Sequence, residues 1–143
     1  MRISFDLDGT LIGASFPRAH RRWYGALLGG ERLRAGTPQL FLALRAAGHE
    51  LHVYTSSLRN PLGIRRTFAA HNLRVGRIVT DVASQRRLRA EGLNASKHPG
   101  LFGFGLHVDD DPGVALEAER LGFRCLIVEG DDPDWARSVL AAC

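Results

Sequence analysis

Short apolar segments alternate along the chain with longer segments in which apolar residues recur at helical spacing. The short segments predict five β-strands, at 2–7, 50–55, 77–80, 104–108 and 124–128. The longer segments predict five helices, at 37–48, 61–72, 81–92, 111–122 and 132–142. Strands that alternate with helices favour right-handed crossovers and a parallel sheet covered by helices on both faces. The pattern therefore predicts an α/β fold of three layers with a mostly parallel five-stranded sheet.

Aspartates also indicate where several helices begin. Asp81 is the predicted N-cap of the third helix, and Asp132 is the predicted N-cap of the last helix, with Pro133 at its first position. Asp111 either caps the fourth helix or joins the acidic run that precedes it. We interpret Asp131 and Asp134, like Asp132, as capping and turn residues rather than as a second acidic site.

The composition fits a single domain over residues 1–143. The chain is 45% hydrophobic and 24% charged, as is usual for soluble globular proteins. No apolar run reaches the length of a membrane span, and no signal-peptide pattern begins the sequence. The two cysteines, Cys125 and Cys143, lack the spacing of a zinc site. We therefore expect a cytoplasmic protein.

The net charge of +4 comes from an unusual set of basic residues: Lys97 is the single lysine, and the other basic side chains are arginines. Arginine binds phosphate well, so a nucleic-acid partner stays open, although a modest charge does not establish one. The cluster Arg18–Arg22, followed by Trp23 and Tyr24, either binds a second phosphate or a stacked base, or is a solvated helix face with buried aromatic rings. We favour the solvated face.

Polar residues gather where the predicted strands end. Asp6 and Asp8 lie at and just beyond the end of the first strand, residues 55–57 follow the second, and residues 109–111 follow the fourth. In open parallel sheets the ligand site lies beyond the carboxyl ends of the strands. Carboxylates at such a place are costly unless they are paired or bind a metal ion. The sequence therefore predicts a site at this edge of the sheet.

These residue types suit phosphoryl transfer. A carboxylate can attack phosphorus and form an aspartyl-phosphate, which divides a difficult hydrolysis into two easier steps. Mg²⁺, bound by carboxylates, offsets the repulsion between two anions. A second carboxyl group can protonate the leaving oxygen and later activate water. A hydroxyl and a cation, here Thr or Ser and Lys97, can hold the other phosphoryl oxygens.

Three segments resemble motifs of the haloacid dehalogenase-like (HAD) hydrolase superfamily. FDLDGTLI (5–12) resembles its first motif, DxDGT after an apolar strand, and LHVYTSS (51–57) resembles its second. LHVDD (106–110) resembles its fourth motif, and Lys97 lies where the lysine of the third motif belongs. The resemblance implies a Rossmann-like, HAD-like fold over the whole chain. The Asp two residues after the first is the superfamily's pattern for phosphatases.

The resemblance assigns roles to the two acids of the first motif. It implies that Asp6 is the nucleophile and a magnesium ligand. It implies that Asp8 is the general acid and base and also offers its backbone carbonyl to the metal ion. The expected activity is that of a Mg²⁺-dependent phosphomonoesterase. A non-catalytic or weakly active module that binds a phosphorylated partner in the same pocket is the alternative.

The remaining motifs imply the phosphate-binding and metal-binding residues. Thr55, with Ser56 as the second candidate, and Lys97 would bind the phosphoryl group. Asp109 would complete the metal site, and Asp110 would support it, directly or through water. Only twelve positions separate Lys97 from Asp109, so we expect the lysine on a loop rather than on a helix.

The intervals between the motifs leave no room for a full cap domain. The residues between Asp6 and Thr55, and those between Thr55 and Lys97, are largely used by predicted helices and strands. The resemblance then implies an open site that acts on a small phosphorylated molecule or on a macromolecular end, or one that a neighbouring subunit of a homo-oligomer covers. His98 and His107 can approach this site, but we expect hydrogen-bonded structural residues rather than metal ligands.

Overall fold

The computed structural model describes residues 1–20 and 23–143. The strands of these residues are β1 (Arg2–Phe5), β2 (Glu50–Tyr54), β3 (Ile78–Val79), β4 (Leu106–Asp109) and β5 (Cys125–Ile127). They form one sheet in the order β3-β2-β1-β4-β5, and every pairing between neighbours is parallel. The predicted α/β fold with a five-stranded parallel sheet is confirmed.

The α-helices of the described residues are α1 (Gly25–Leu28), α2 (Thr37–Ala46), α3 (Pro61–Ala70), α4 (Asp81–Ala90), α5 (Pro112–Leu121) and α6 (Trp135–Ala141). The five predicted helices correspond to α2 through α6. The sequence did not predict α1 or the 3₁₀ turn at Pro99–Phe102, because each has only four residues, too few to show a helical pattern.

Two predicted helix starts are wrong. Helix α6 begins at Trp135, and Asp132 instead accepts a hydrogen bond from the Asp134 backbone N–H at 2.8 Å, which closes a turn before the helix. Asp81 is the first residue of α4 rather than its N-cap. Asp111, by contrast, caps α5, because its Oδ1 accepts the N–H of the second helical residue at 2.8 Å.

The two faces of the sheet differ in chemistry. Ile3 and Phe5 of β1 belong to the main apolar cluster, to which α2, α3 and α6 contribute. Ser4, between them, lies on the other face, where its hydroxyl contacts His107 of β4. Tyr54 lies on the same face and hydrogen-bonds a serine of α4. One face is therefore an apolar core, and the other carries buried polar side chains that lead towards the carboxyl ends of the strands.

The described residues contain no full cap domain. Between β1 and β2 they form α1 and α2, and between β2 and β4 they form α3, β3, α4 and the 3₁₀ turn. The carboxyl edge of the sheet is consequently open.

In the part of the chain that the structure describes, no helix has both the length and the hydropathy that crossing a membrane requires.

Candidate active site

The structure brings the predicted site residues together in one open pocket of about 590 Å³ at the carboxyl ends of β1, β2 and β4. The residues that the sequence singled out and that line this pocket are Asp6, Asp8, Thr55, Ser56, Lys97, Asp109 and Asp110. The ends of three strands and the loops that follow them supply six of these residues, and Lys97 comes from the loop that follows α4. The parallel order of the strands is what collects these polar groups at a single edge.

Lys97 connects the two buried acids. Its Nζ donates to Asp6 Oδ1 and to Asp109 Oδ2, each at 2.6 Å, and all three side chains are buried. The two carboxylates raise the pKa of Lys97 above its usual value, although burial opposes them. Several hydrogen bonds hold its loop: Glu117 accepts from the N–H groups of Ser96 and Lys97, and Tyr54 accepts from the next N–H, of His98. The ammonium group is therefore charged and fixed in place.

Asp109 is held on both carboxylate oxygens. His107, two residues earlier on β4, donates from Nε2 to Oδ2 at 2.9 Å, and the Asp111 backbone N–H donates to Oδ1 at 3.0 Å. Since burial lowers the pKa of His107, its ring is neutral, and its Nδ1 accepts from the Ser4 hydroxyl at 2.9 Å. Although burial alone would raise it, the pKa of Asp109 is lowered, because His107 and Lys97 stabilise the charged form.

Asp6 has one bound and one available oxygen. Lys97 bonds Oδ1, whereas no hydrogen bond from the described residues reaches Oδ2. Burial is the main cause that raises the pKa of Asp6 to about 7, and Lys97 opposes this effect. A nucleophile needs an oxygen that can approach its target, so this arrangement suits the role that the motif implies.

The glycine and threonine of the DGT segment place Asp110. Gly9 has a φ of +86°, which side chains rarely adopt, and a Cβ there would lie 2.1 Å from an Asp110 carboxylate oxygen. Thr10, fully buried, donates from its hydroxyl to Asp110 Oδ1 at 2.8 Å. Burial raises the pKa of Asp110, and the Thr10 hydrogen bond opposes this. The first loop thus holds the acid that follows β4.

Asp6, Asp109 and Asp110 can hold a metal ion. One carboxylate oxygen from each lies within 4.8 Å of the other two. All the ligands are hard oxygens, which Mg²⁺ prefers to nitrogen or sulfur. When ionised, three carboxylates with the single ammonium of Lys97 leave two negative charges, which one divalent cation neutralises. The donor set therefore fits Mg²⁺, and the Asp8 side chain is outside it.

The loop after β2 supplies hydroxyl groups. Thr55 is buried at the end of the strand, and its Oγ1 accepts the Ser57 N–H at 3.1 Å. Its hydroxyl proton thus remains available to an oxygen in the pocket. Ser56 is exposed and lines the same pocket. Both residues whose hydroxyl the sequence predicts as a phosphate ligand therefore line the pocket. Thr55 is the one whose side chain is buried and hydrogen-bonded.

Arg59 is a residue at this site that the sequence did not indicate. It forms an ion pair with the Asp8 carboxylate and, through Nε, bonds Glu31 Oε1 at 2.8 Å. It lies four positions after Thr55, in a loop at the same edge of the sheet. That position was the only feature of the sequence that could have indicated its place at the site. His107 was expected to be a hydrogen-bonded structural residue, and its contact with Asp109 could not be read from the sequence.

The arginine-rich segment differs from expectation. Arg21 and Arg22 of the Arg18–Arg22 cluster lie outside the described residues. Trp23 is 85% exposed, so the expectation of buried aromatic rings is wrong for this residue. Its ring meets that of Tyr24 edge to face at 5.8 Å, in a turn that precedes α1.

A solved structure with a similar fold is that of a predicted HAD-like family hydrolase from Porphyromonas gingivalis. The two chains are 13% identical, with a TM-score of 0.53, and the similarity covers 99% of this chain and 97% of the other. No family model matches this sequence, and no curated protein matches it. At so low an identity the likeness concerns the fold. The chain has the fold of the HAD-like hydrolases, and an acidic cluster lies at its carboxyl edge.

Proposed function

We propose that this protein is a Mg²⁺-dependent phosphomonoester hydrolase that acts through an aspartyl-phosphate on Asp6. The observation that carries the proposal is the gathering of two acids after β1, a hydroxyl after β2, a buried lysine and an acid pair after β4 in one pocket. This inventory is what attack by a carboxylate on a phosphoryl group requires.

The reaction proceeds in two steps. Asp6 Oδ2 attacks phosphorus, the ester P–O bond breaks, and the departing oxygen takes a proton from Asp8. Asp8 then removes a proton from water, which attacks the aspartyl-phosphate; the bond between phosphorus and Asp6 breaks, and inorganic phosphate leaves. Lys97 and Thr55 donate hydrogen bonds to the phosphoryl oxygens in both steps.

The Asp6, Asp109 and Asp110 carboxylates and the Asp8 backbone carbonyl would hold Mg²⁺. The cation supplies positive charge that reduces the repulsion between the phosphoryl group and the carboxylates. His107 and the Asp111 N–H fix the orientation of Asp109, so that this ligand needs little rearrangement.

The direct test is the hydrolysis of 4-nitrophenyl phosphate with Mg²⁺ and with a chelator. We expect turnover that requires the metal ion and falls by at least roughly a thousandfold in Asp6→Asn, which keeps the shape but loses the nucleophile. Asp134→Asn is the matched control, because Asp134 is exposed and does not line the pocket.

A selective enzyme can ignore an aryl phosphate, so a second measurement keeps the test decisive. Beryllium fluoride with Mg²⁺ mimics a phosphorylated aspartate and should raise the melting temperature of the wild type but not that of Asp6→Asn. If neither turnover nor this shift is found, the proposed hydrolysis is wrong.

The alternative is a module that binds a phosphorylated partner without hydrolysing it. The contact between Arg59 and Asp8 favours it, because an acid paired with a guanidinium must leave that partner before it can give up a proton. Orthophosphate binding that Thr55→Val abolishes, without turnover or a beryllium fluoride shift, would support this function over hydrolysis.

A further inference from the structure

A second cavity, of about 540 Å³, adjoins the candidate active site. Among the described residues, the two share one lining residue, Asp8. The described residues that also line the second cavity are three arginines, Glu31 and residues 12–14. The arginines are Arg18, Arg32 and Arg59, which come from three separate loops of the chain.

Two of these arginines have no ionic partner among the described residues. Arg59 is engaged by Asp8 and Glu31, whereas Arg18 and Arg32 make no ion pair with any residue in 1–20 or 23–143. Both are exposed. Guanidinium groups in a concavity attract anions and bind phosphate or carboxylate through paired hydrogen bonds. The charge of this cavity is thus complementary to an anionic ligand.

The backbone that carries Arg18 and Arg32 is fixed. The Ala19 N–H donates to the Leu33 carbonyl at 2.7 Å, which ties together the residues next to the two arginines. Leu33 is fully buried, and its own N–H donates to His71 of the α3 C-terminus at 3.3 Å. Two segments distant in sequence therefore present their arginines from a common, hydrogen-bonded base, which limits the ordering that a ligand must impose.

The position of Asp8 indicates which part of a substrate would enter the second cavity. In the proposed reaction Asp8 protonates the departing oxygen, so the alcohol portion of the substrate must lie beside it. Asp8 is also the residue at which the two cavities meet. A substrate whose phosphoryl group lies against Asp6 before the reaction would therefore extend its alcohol portion past Asp8 and towards Arg18 and Arg32.

We propose that the Arg18–Arg32 cavity binds a second anionic group on the alcohol portion of the substrate. The substrate class is then small phosphomonoesters that carry another phosphate or a carboxylate. The cavity has the volume of a small-ligand site rather than of an extended groove. This inference rests on the proposed function, because it takes Asp8 as the acid next to the leaving group.

The experiment measures binding without turnover. In the Asp6→Asn background with Mg²⁺, calorimetry compares alkanediol bisphosphates of increasing spacer length with alkyl monophosphates of the same lengths. At the spacer length that spans both cavities, the bisphosphate should bind about tenfold more tightly than its monophosphate, as one added bidentate contact implies. Adding Arg18→Ala and Arg32→Ala should remove this preference and leave monophosphate binding unchanged.

Arg89→Ala is the matched control, because Arg89 is exposed on α4 and lines neither cavity. Equal affinity for bisphosphates and monophosphates at every spacer length would overturn the inference. An equal loss in Arg89→Ala would overturn it too, since it would indicate only general charge attraction. If the preference and its loss are found but the wild type neither releases phosphate nor shows the beryllium fluoride shift, the subsite stands and the proposed hydrolysis fails.

Discussion

Among the described residues, Lys97 is the only cation that contacts Asp6 and Asp109, and its replacement by methionine removes this charge while keeping an apolar stem of similar length. The change leaves the two buried carboxylates next to each other and near Asp110 without a compensating charge. We expect a large loss of stability when no divalent cation is present, because a buried charge without a partner is costly.

The distances set the size of the effect. At 2.6 Å and an effective dielectric constant of about 20, each ion pair contributes an attraction of about 6 kcal/mol, most of which offsets the cost of removing the charges from water. Removal of one partner from a buried pair typically costs about 3–5 kcal/mol. We expect a loss in this range for Lys97→Met, which is a large share of the stability of a small domain.

Urea unfolding in a chelating buffer measures this loss. The set comprises the wild type, Lys97→Met, Asp109→Asn and the double variant, which together form a double-mutant cycle. Because Asp109→Asn removes one of the charges that Lys97 compensates, the double variant should be more stable than additivity predicts, by about 2 kcal/mol or more. Arg89→Met, on the exposed face of α4, should change the stability by less than about 0.5 kcal/mol.

Two results would refute this reasoning. One is a loss below about 1 kcal/mol in Lys97→Met together with an additive cycle, which would mean that the ammonium does not pair with these carboxylates in solution. The other concerns Mg²⁺: it should stabilise Lys97→Met more than the wild type, since the variant site carries one more uncompensated negative charge. Equal stabilisation would show that Lys97 and the metal ion do not share carboxylates.

Three further predictions test other contacts. Gly9→Ala should lower the free energy of unfolding more than Gly48→Ala does. Both glycines have positive φ, which costs another residue about 1–2 kcal/mol. Only the Cβ at position 9 would also clash with Asp110, whereas nothing lies within 4 Å of a Cβ at position 48. Tyr54→Phe should lose about 1–3 kcal/mol in urea unfolding, because Tyr54 is fully buried and its hydroxyl has two hydrogen-bond partners. Burial raises the pKa of Cys125 to about 12, so its alkylation at pH 8, followed by mass spectrometry, should be roughly a hundredfold slower in native than in unfolded protein.

For each of these three predictions, one result would contradict it. Equal losses in the two glycine variants would mean that the first loop does not approach Asp110 as closely as the structure places it. A Tyr54→Phe variant as stable as the wild type would show that its hydroxyl does not hold the Lys97 loop. Alkylation of Cys125 at the unfolded rate would contradict the partial burial of its thiol on β5.

The periodicity of apolar residues was sufficient to predict the fold, because short strands and helices of ten or so residues alternate along most of the chain. It was less reliable at helix starts, as α6 shows. Asp131, Asp132 and Asp134 can all cap a helix, and the local pattern does not distinguish them; the bend that Asp132 closes moves the start to Trp135. A cap depends on backbone geometry that the residue type alone does not determine.

The site was predictable to the extent that its residues follow strands. Thr55, Asp6 and Asp109 could be placed at one edge because parallel strands end together. Arg59 could not be paired with Asp8, since loop side chains have no periodic direction and the two residues lie in loops that follow different strands. Lys97 was expected at the site from the need for a cation and from the resemblance, not from the order of the strands. Its contact with both carboxylates depends on a loop held by Glu117.

The strand register explains why the two central acids meet. Ser4 pairs with His107 across β1 and β4, so residues two positions further along each strand are neighbours on the same face. Those residues are Asp6, which directly follows β1, and Asp109, the last residue of β4. The contact between the Ser4 hydroxyl and the His107 ring, two residues earlier on each strand, thus supports the acids. It lies on the face of the sheet opposite the main apolar core. A shift of one residue in this register would place Asp109 on the opposite face, in the apolar core. The buried polar residues Ser4 and His107 therefore align Asp6 and Asp109, the two acids that Lys97 connects.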